Sequence, residues 1–372
     1  MLPNFLITKA DIIHAEEILG PNLGSLKGKM TRTKPSKVII NTYNELPEGM
    51  LDKHGDVTLA VDIMYINEIP FVMTTSRAIH FGTAELIKNE KISTIMIAIK
   101  QVIEAYEARG FRIRHILADG QFEHARKHIE KMGIILNITS RDKHVPEIEC
   151  YIRLVKERVQ DIVNTLPFEQ YPNRLIVETV YNAIFWLNCF PHKDGIHATL
   201  SPRTIVTGSN IDHDKHCSLQ FGSYVQVHEQ HNNSMATRTS GAIALRPTGN
   251  AQGSYYFLSL HTGKRIVHNN WTALPMPNEV IATVHQLAKA CKKYKGIVFT
   301  DKHGNIINDT LTSEGGEEEE EENDIIEHVS DDITGVYEND ENDDVHDENS
   351  DENSENGNNE RNNNNNNDES TG

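Results

Sequence analysis

Cysteine is scarce in this chain, and its distribution argues against cysteine-based chemistry. Only four cysteines occur in 372 residues, and they are far apart with no C-x-x-C pair among them: Cys150, Cys189, Cys217 and Cys291. A disulfide framework or a cysteine zinc site is therefore not expected, and a reducing intracellular compartment is the default expectation.

Long apolar segments are also missing. No run of about 18 apolar residues occurs, which is the length that a membrane-spanning helix requires. The first residues, Met1-Leu2-Pro3-Asn4, lack the basic-then-apolar order of a secretion signal. We therefore expect neither a membrane-spanning segment nor a membrane partner.

Basic residues are rare in only one part of the chain. Of the 54 acidic residues, 24 lie from Glu314 onward, together with one of the 36 basic residues, Arg361. The remaining 30 acidic and 35 basic residues make the preceding part mildly basic, although the whole chain carries a formal charge of −18. The mildly basic charge of residues 1–313 permits nucleic-acid binding. The composition of residues 314–372 predicts a disordered acidic and Asn-rich tail.

Short apolar runs alternate with amphipathic stretches between residues 57 and 188. The patterns predict three strands, then helix, strand, helix, strand and two further helices, with boundaries at 57–63, 69–75, 78–84, 91–109, 112–118, 122–132, 133–138, 147–166 and 173–188. This order is typical of a mixed α/β core around a central sheet.

The regions on either side of this core have different sequence patterns. Residues 1–50 form a basic segment before the core, which spans 51–192. Residues 200–277 contain short alternating runs broken by Gly, Asn and Thr, which predict a small all-β module. A helix is expected at 278–296.

Two aspartates end strand-like runs in the predicted core. Asp62 follows Leu59–Val61, and Asp119 follows the run from Ile113 to Ala118. Carboxylate oxygens are the ligands that magnesium and manganese prefer, and paired divalent ions can assist phosphoryl transfer. These positions favour a metal-dependent site, with helix capping by Asp119 as the structural alternative.

The long amphipathic helix supplies candidates for a third acid and for contacts to nucleic acid. Glu149 is preferred, because it shares one polar flank with Arg153 and Lys156, which could contact DNA phosphates. Glu147 is the second choice, and Glu157 lies two turns into the helix. An ordinary solvated face is the alternative for the two basic residues.

These residues carry a resemblance to a known family. Asp62, the Asp119-Gly120 turn and the stretch Pro146–Glu149 leading into Arg153 resemble the integrase region of copia-type retrotransposon polyproteins. The basic segment Leu26–Lys29 resembles the part before that core. The region after Leu200 is similar to the small SH3-like module that follows it.

The resemblance implies both a fold and a function. It implies a ribonuclease H-like core with a mixed five-stranded sheet, followed by an SH3-like module. It further implies Asp62, Asp119 and Glu149 as catalytic metal ligands for Mg²⁺ or Mn²⁺. The implied partners are DNA, as element ends and as target, and further copies of the chain, in the nucleus when the protein is active.

The sequence departs from the family pattern at identifiable positions. Gln121-Phe122-Glu123 stands where an acidic-aromatic pair is usual, and Cys150 replaces the arginine that normally follows the glutamate. Three functions therefore remain open: an integrase-like transferase, a ribonuclease H-like nuclease without joining activity, and a non-catalytic nucleic-acid-binding relic.

Overall fold

The computed structural model describes residues 6–28, 38–39, 43–139, 145–229, 235–289 and 296–307. The described residues all belong to one compact unit, Met1–Glu322. The predicted acidic tail lies outside the described residues. No helix in the described ranges has the length and apolar character needed to cross a membrane.

This unit contains both helices and strands. The helices are α1 Lys9–Leu19, α2 Leu23–Gly28, α3 Met50–His54, α4 Ile92–Glu107, α5 Arg126–Lys131, α6 Pro146–Asn164, α7 Asn173–Leu187, α8 Pro202–Thr207, α9 His213–His216 and α10 Asn278–Lys289. The strands are β1 Asp56–Ile66, β2 Ile69–Ser76, β3 Gly82–Leu86, β4 Arg112–Ala118, β5 Ile135–Ile138, β6 Tyr224–His228, β7 Thr239–Pro247, β8 Tyr255–Ser259, β9 Arg265–His268, β10 Trp271–Ala273 and β11 Phe299–Thr300.

The first sheet has the strand order β3-β2-β1-β4-β5. β1, β2 and β3 are antiparallel neighbours, whereas β4 runs parallel to β1 and β5 parallel to β4. Helix α6 packs against β1 and β2, and an apolar core joins α4 to the opposite face of the sheet. The predicted mixed α/β architecture is confirmed.

The sheet contains six strands where five were predicted. The sixth, β11, pairs antiparallel with the last two residues of β1, at Tyr65 and Ile66. β4 pairs with β1 only as far as Ala60, so the backbone groups of Tyr65 and Ile66 on that edge are available to pair with β11. Asn67 anchors this strand further, because its side-chain oxygen accepts from the backbone N–H of Val298 at 2.8 Å.

Two predicted elements begin or divide differently. The strand predicted over 78–84 starts only at Gly82, because residues 77–79 form a turn and His80 adopts a positive φ of 59°. The helix predicted over 122–132 is split into a 3₁₀ helix, Gly120–Ala125, and α5.

The β-rich region forms its own antiparallel sheet in the order β10-β6-β7-β8-β9. It packs against α7 through Glu178, whose side chain is fully buried. The two carboxylate oxygens of Glu178 accept from Arg246 of β7 at 3.1 Å and from Arg265 of β9 at 3.2 Å. Tyr256 lies beneath both guanidinium groups, 4.5 Å from that of Arg246 and 4.4 Å from that of Arg265.

Candidate functional site

Asp62 lies in β1, on the face of the sheet that α6 covers. Leu59 and Val61 point into the apolar core on the α4 side. Since side chains alternate along a strand, Asp62 points to the other face. Its position is half-buried, and it pairs across the antiparallel ladder with Met73 of β2.

Asp119 directly follows β4, the parallel neighbour of β1. The register places Ala60 opposite Leu117, and two residues further along each strand stand Asp62 and Asp119. Adjacent strands are separated by about 4.8 Å, and residues at equal levels of a parallel pair project to the same face. The two aspartates predicted from the sequence are therefore neighbours on the α6 face.

Gln121 lies between the two aspartates and contacts both. Its backbone N–H donates to Asp119 Oδ1 at 3.2 Å, and its side-chain amide donates to Asp62 Oδ1 at 3.2 Å. The first contact makes Asp119 the N-cap of the 3₁₀ helix, so the capping role considered from the sequence is present. Capping engages one carboxylate oxygen of Asp119, and Asp119 remains close to Asp62.

The candidates for the third acid differ in environment along α6. Glu149 and Glu157 are exposed, whereas Glu147 is half-buried. Glu147 accepts from Arg77 through Nε at 2.9 Å and also through Nη2. Burial opposes ionisation of Glu147, but its own backbone N–H and the Arg77 guanidinium outweigh that effect and lower its pKa. Glu147 therefore anchors the start of α6 to the turn after β2.

A closed three-ligand metal centre is not formed in this arrangement. Within the described ranges, no group of three His, Cys, Asp or Glu side chains lies close enough to hold a metal ion. The structure brings Asp62 and Asp119 together, and it places Glu149 on the helix that crosses the same face. Two of the three predicted ligands thus contact the same residue, Gln121.

The two predicted DNA-contacting residues lie further along α6. Arg153 is exposed, and its Nη2 lies 4.0 Å from Cys150 Sγ. Lys156 Nζ lies above the ring of Phe299 in β11, 5.1 Å from the ring centroid, which is a cation–π distance. Lys156 therefore joins α6 to the short strand β11.

Three contributors to this region were missed by sequence reasoning. Gln121 was noted only as a departure from the family pattern, and its position directly after a strand-ending Asp-Gly turn was the available signal. Arg77 had no local signal, because its partner Glu147 is 70 residues away in the chain. β11 is two residues long and shows no periodicity.

Part of this chain resembles solved structures. No family model matches the chain, and no curated protein matches it. Solved structures that resemble it include the catalytic core domain of BIV integrase, at 16% sequence identity and a TM-score of 0.30, covering 40% of this chain and 92% of that one. They also include the HTLV-2 integrase catalytic core domain in complex with magnesium (trimeric form), at 13% identity and a TM-score of 0.30, covering 40% of this chain and 95% of that one.

Proposed function

We propose that this chain is an integrase-like polynucleotidyl transferase that acts on DNA by metal-assisted phosphoryl transfer. The observation that carries the proposal is the proximity of Asp62 in β1 to Asp119, the residue after the parallel strand β4, since Gln121 contacts both. Helix α6, which bears Glu149, packs against β1. Two carboxylates at one level of a sheet supply adjacent, negatively charged oxygens. An ordinary capping aspartate needs no such neighbour.

The donor set fits a hard divalent cation. Asp62 and Asp119 offer carboxylate oxygens, which Mg²⁺ and Mn²⁺ prefer over nitrogen or sulfur ligands. Glu149 is our choice for the third ligand, and Glu147 is the alternative, held now by Arg77. When bound, such ions activate a nucleophilic oxygen and stabilise a leaving oxygen.

The chain's own residues orient the reaction. Gln121 holds Asp62 and Asp119 in place before the cation arrives, and its side-chain amide must release Asp62 Oδ1 for that oxygen to coordinate. Arg153 and Lys156 project from α6, where cationic groups would contact backbone phosphates and fix the register of the duplex. Water or a DNA 3′-hydroxyl would attack the phosphodiester held between these elements.

The remaining parts of the proposal follow the resemblance to copia-type retrotransposon integrases. The strand order and directions of the first sheet support a ribonuclease H-like core at 51–192. The five-stranded antiparallel sheet after it supports an SH3-like module at 200–277. We further propose element ends and target DNA as partners, assembly with further copies, and a nuclear site of action.

A joining assay tests the proposed chemistry. Blunt linear DNA and a supercoiled target plasmid are incubated with the full chain and Mn²⁺, and products are separated on a gel. Joined products are expected, and Asp62→Asn and Asp119→Asn should each abolish them. Cleavage without joining would instead indicate a nuclease. The absence of both joined and cleaved products, with the unsubstituted chain as with Asp119→Asn, would indicate a non-catalytic binding protein.

The third ligand is tested by matched substitutions on one helix. Glu149→Gln should reduce joining by at least about a hundredfold, since it removes a ligand of the reacting centre. Glu157→Gln is the matched control, because it makes the same change two turns further along α6 and should leave joining unchanged. A larger loss with Glu147→Gln than with Glu149→Gln would transfer the role to Glu147.

A further inference from the structure

An open cleft lies away from the carboxylate site, where α6, α7 and the β-rich region meet. Its volume is about 410 Å³, within the usual range of roughly 300–1,000 Å³ for small-molecule sites. Its walls are formed by the end of α6, one face of α7, the segment that precedes β6, and the end of β7. No part of the proposed transfer chemistry uses this cleft.

The cleft contains an amide side chain in its wall. Asn182 lines the cleft, and the residue is 6% exposed. A side-chain amide can both donate and accept hydrogen bonds. Asn182 is therefore the polar group of α7 that could recognise a ligand in this cleft.

An aromatic side chain lies beside this amide. Trp186 is one turn further along α7 than Asn182, so both side chains lie on the same face of the helix and line the cleft together. Phe221, Leu219 and Leu245 complete an apolar wall. One amide at the rim of an aromatic and aliphatic wall matches a flat ligand that carries hydrogen-bonding groups on its edge.

The charge of the cleft excludes an anionic ligand as its main occupant. Its lining, as far as the structure describes the chain, contains no Lys, Arg or His. The one acidic residue, Asp161, is already paired with Arg158 at 3.0 Å. A phosphate would find no cation here, and a cationic ligand would compete with an existing ion pair.

We propose that this cleft binds the nucleobase of an unpaired nucleotide. The base would stack against Trp186 and exchange hydrogen bonds with the Asn182 amide, which offers both a donor and an acceptor. The phosphate and sugar of the same nucleotide would stay in solvent at the open side. The inference rests on the proposed function for its biological setting, because a DNA-processing protein meets unpaired strands.

Intrinsic fluorescence gives a direct test. The chain has two tryptophans, and Trp271 packs against Tyr255 and Phe257 in the second sheet, with ring centroids 5.0 and 5.6 Å away. In a Trp271→Phe variant of the full chain, Trp186 is therefore the single reporter. Adenosine, thymidine and a short single strand are titrated in the presence of a chelator, and saturable quenching is expected.

Matched variants and ligands separate base recognition from other binding. Asn182→Leu replaces the amide with an apolar side chain of similar size. It should lower the association constant obtained from the quenching titration about tenfold or more. Gln160→Leu makes the same kind of change at an exposed position of α6 and should not weaken it. An abasic strand of the same length should quench far less than the intact strand.

Several outcomes would overturn the proposal. Equal quenching by the abasic strand, or an unchanged association constant in Asn182→Leu, would show that the cleft does not bind the base. Quenching by an amino-acid amide but not by nucleosides would assign it to a peptide. Quenching by nucleosides should persist in Asp119→Asn without divalent ions, so loss of catalysis and loss of base binding are separately observable.

Discussion

Asp62 in β1 and Asp119, the residue after the neighbouring parallel strand β4, share one neighbour, Gln121, which donates a hydrogen bond to each carboxylate. Two carboxylates in adjacent strands repel each other when both are ionised. The amide contacts offset part of that repulsion while no cation is present. Gln121 therefore competes with a divalent cation for Asp62 Oδ1.

Removing the Gln121 side chain should strengthen cation binding. Gln121→Ala frees Asp62 Oδ1 of one exposed hydrogen bond, and we expect Mn²⁺ affinity to rise about three- to tenfold. Isothermal titration calorimetry measures this change. Gln160→Ala, an exposed amide elsewhere on α6, serves as the control and should leave the affinity unchanged. Weaker Mn²⁺ binding in Gln121→Ala would show that the amide supports the site and does not compete with it.

The Arg77–Glu147 pair should make a small, pH-dependent contribution to stability. The pair is partly exposed, so we expect a coupling free energy of about 0.5–1 kcal/mol from a double-mutant cycle with Arg77→Met and Glu147→Gln. The pKa of Glu147 is lowered in the folded chain, so this contribution is present above the usual carboxyl range and is lost as pH falls. Denaturant titrations at neutral and acidic pH measure both values, and equal coupling at the two pH values would contradict the assignment.

Glu178 should be among the positions least tolerant of a neutral substitution. Glu178→Gln leaves the guanidinium groups of Arg246 and Arg265 near a buried amide that cannot balance their charge. We expect a loss of about 3–5 kcal/mol in the free energy of unfolding. Asp161→Asn removes one partner of the exposed pair with Arg158, and should cost less than about 1 kcal/mol. Similar losses for the two variants would contradict the burial argument.

Glu85 should lower stability at neutral pH. Burial raises the pKa of this carboxyl to about 7. A raised acid pKa means that the folded chain holds a proton that the unfolded chain has released, so stability falls as pH rises from about 4.5 to about 7.

Glu85→Gln should remove that slope and raise the free energy of unfolding at pH 8 by about 2 kcal/mol. Denaturant titrations across this pH range measure the slope. Glu104→Gln, at an exposed position of α4, is the matched control and should keep it. A slope that persists in Glu85→Gln would assign the pH dependence to another group.

Two buried tyrosines should respond in opposite directions to the same substitution. The Tyr151 hydroxyl is buried without a hydrogen-bond partner in the described structure, whereas that of Tyr106 donates to the carbonyl of Phe81 at 3.3 Å. Tyr151→Phe should therefore stabilise the fold by about 1 kcal/mol, and Tyr106→Phe should destabilise it by about the same amount. Thermal or denaturant unfolding of the two variants measures the contrast. Destabilisation by both would show that the Tyr151 hydroxyl has a partner in solution.

The sequence predicts those parts of this fold that depend on local patterns. β4 is predicted with its observed limits, because Ile113, Ile116 and Ala118 point into one core and a charged residue follows. Asp119 is found because the end of β4 is visible as the end of an apolar run. Asp62 also ends an apolar run, but β1 continues to Ile66, so Asp62 lies within the strand and not at its end as predicted. The roles of these aspartates and of Glu149 stay predictions that the assays above address.

What the sequence does not predict depends on distant partners. The Arg77–Glu147 pair and the Glu178 cluster join residues whose neighbours in the chain carry no sign of each other. The strand predicted from residue 78 begins only at Gly82, because His80 has a positive φ that a strand does not allow. The apolar pattern of the sequence gives no sign of this backbone conformation. Gln121 required the register of β1 and β4 before its contacts could be recognised.

The pairing of β11 with β1 has a consequence for how the protein is made. Glu68 and Thr300, which meet through a hydrogen bond at this pairing, are separated by 232 positions. Translation at roughly 5–20 residues per second delays the partner by about ten to fifty seconds. Throughout that interval the nascent chain on the ribosome presents an unpaired strand edge beside Asp62, open to other nascent chains. Slowing translation after residue 66 should therefore increase the demand for chaperones more than slowing it before residue 56.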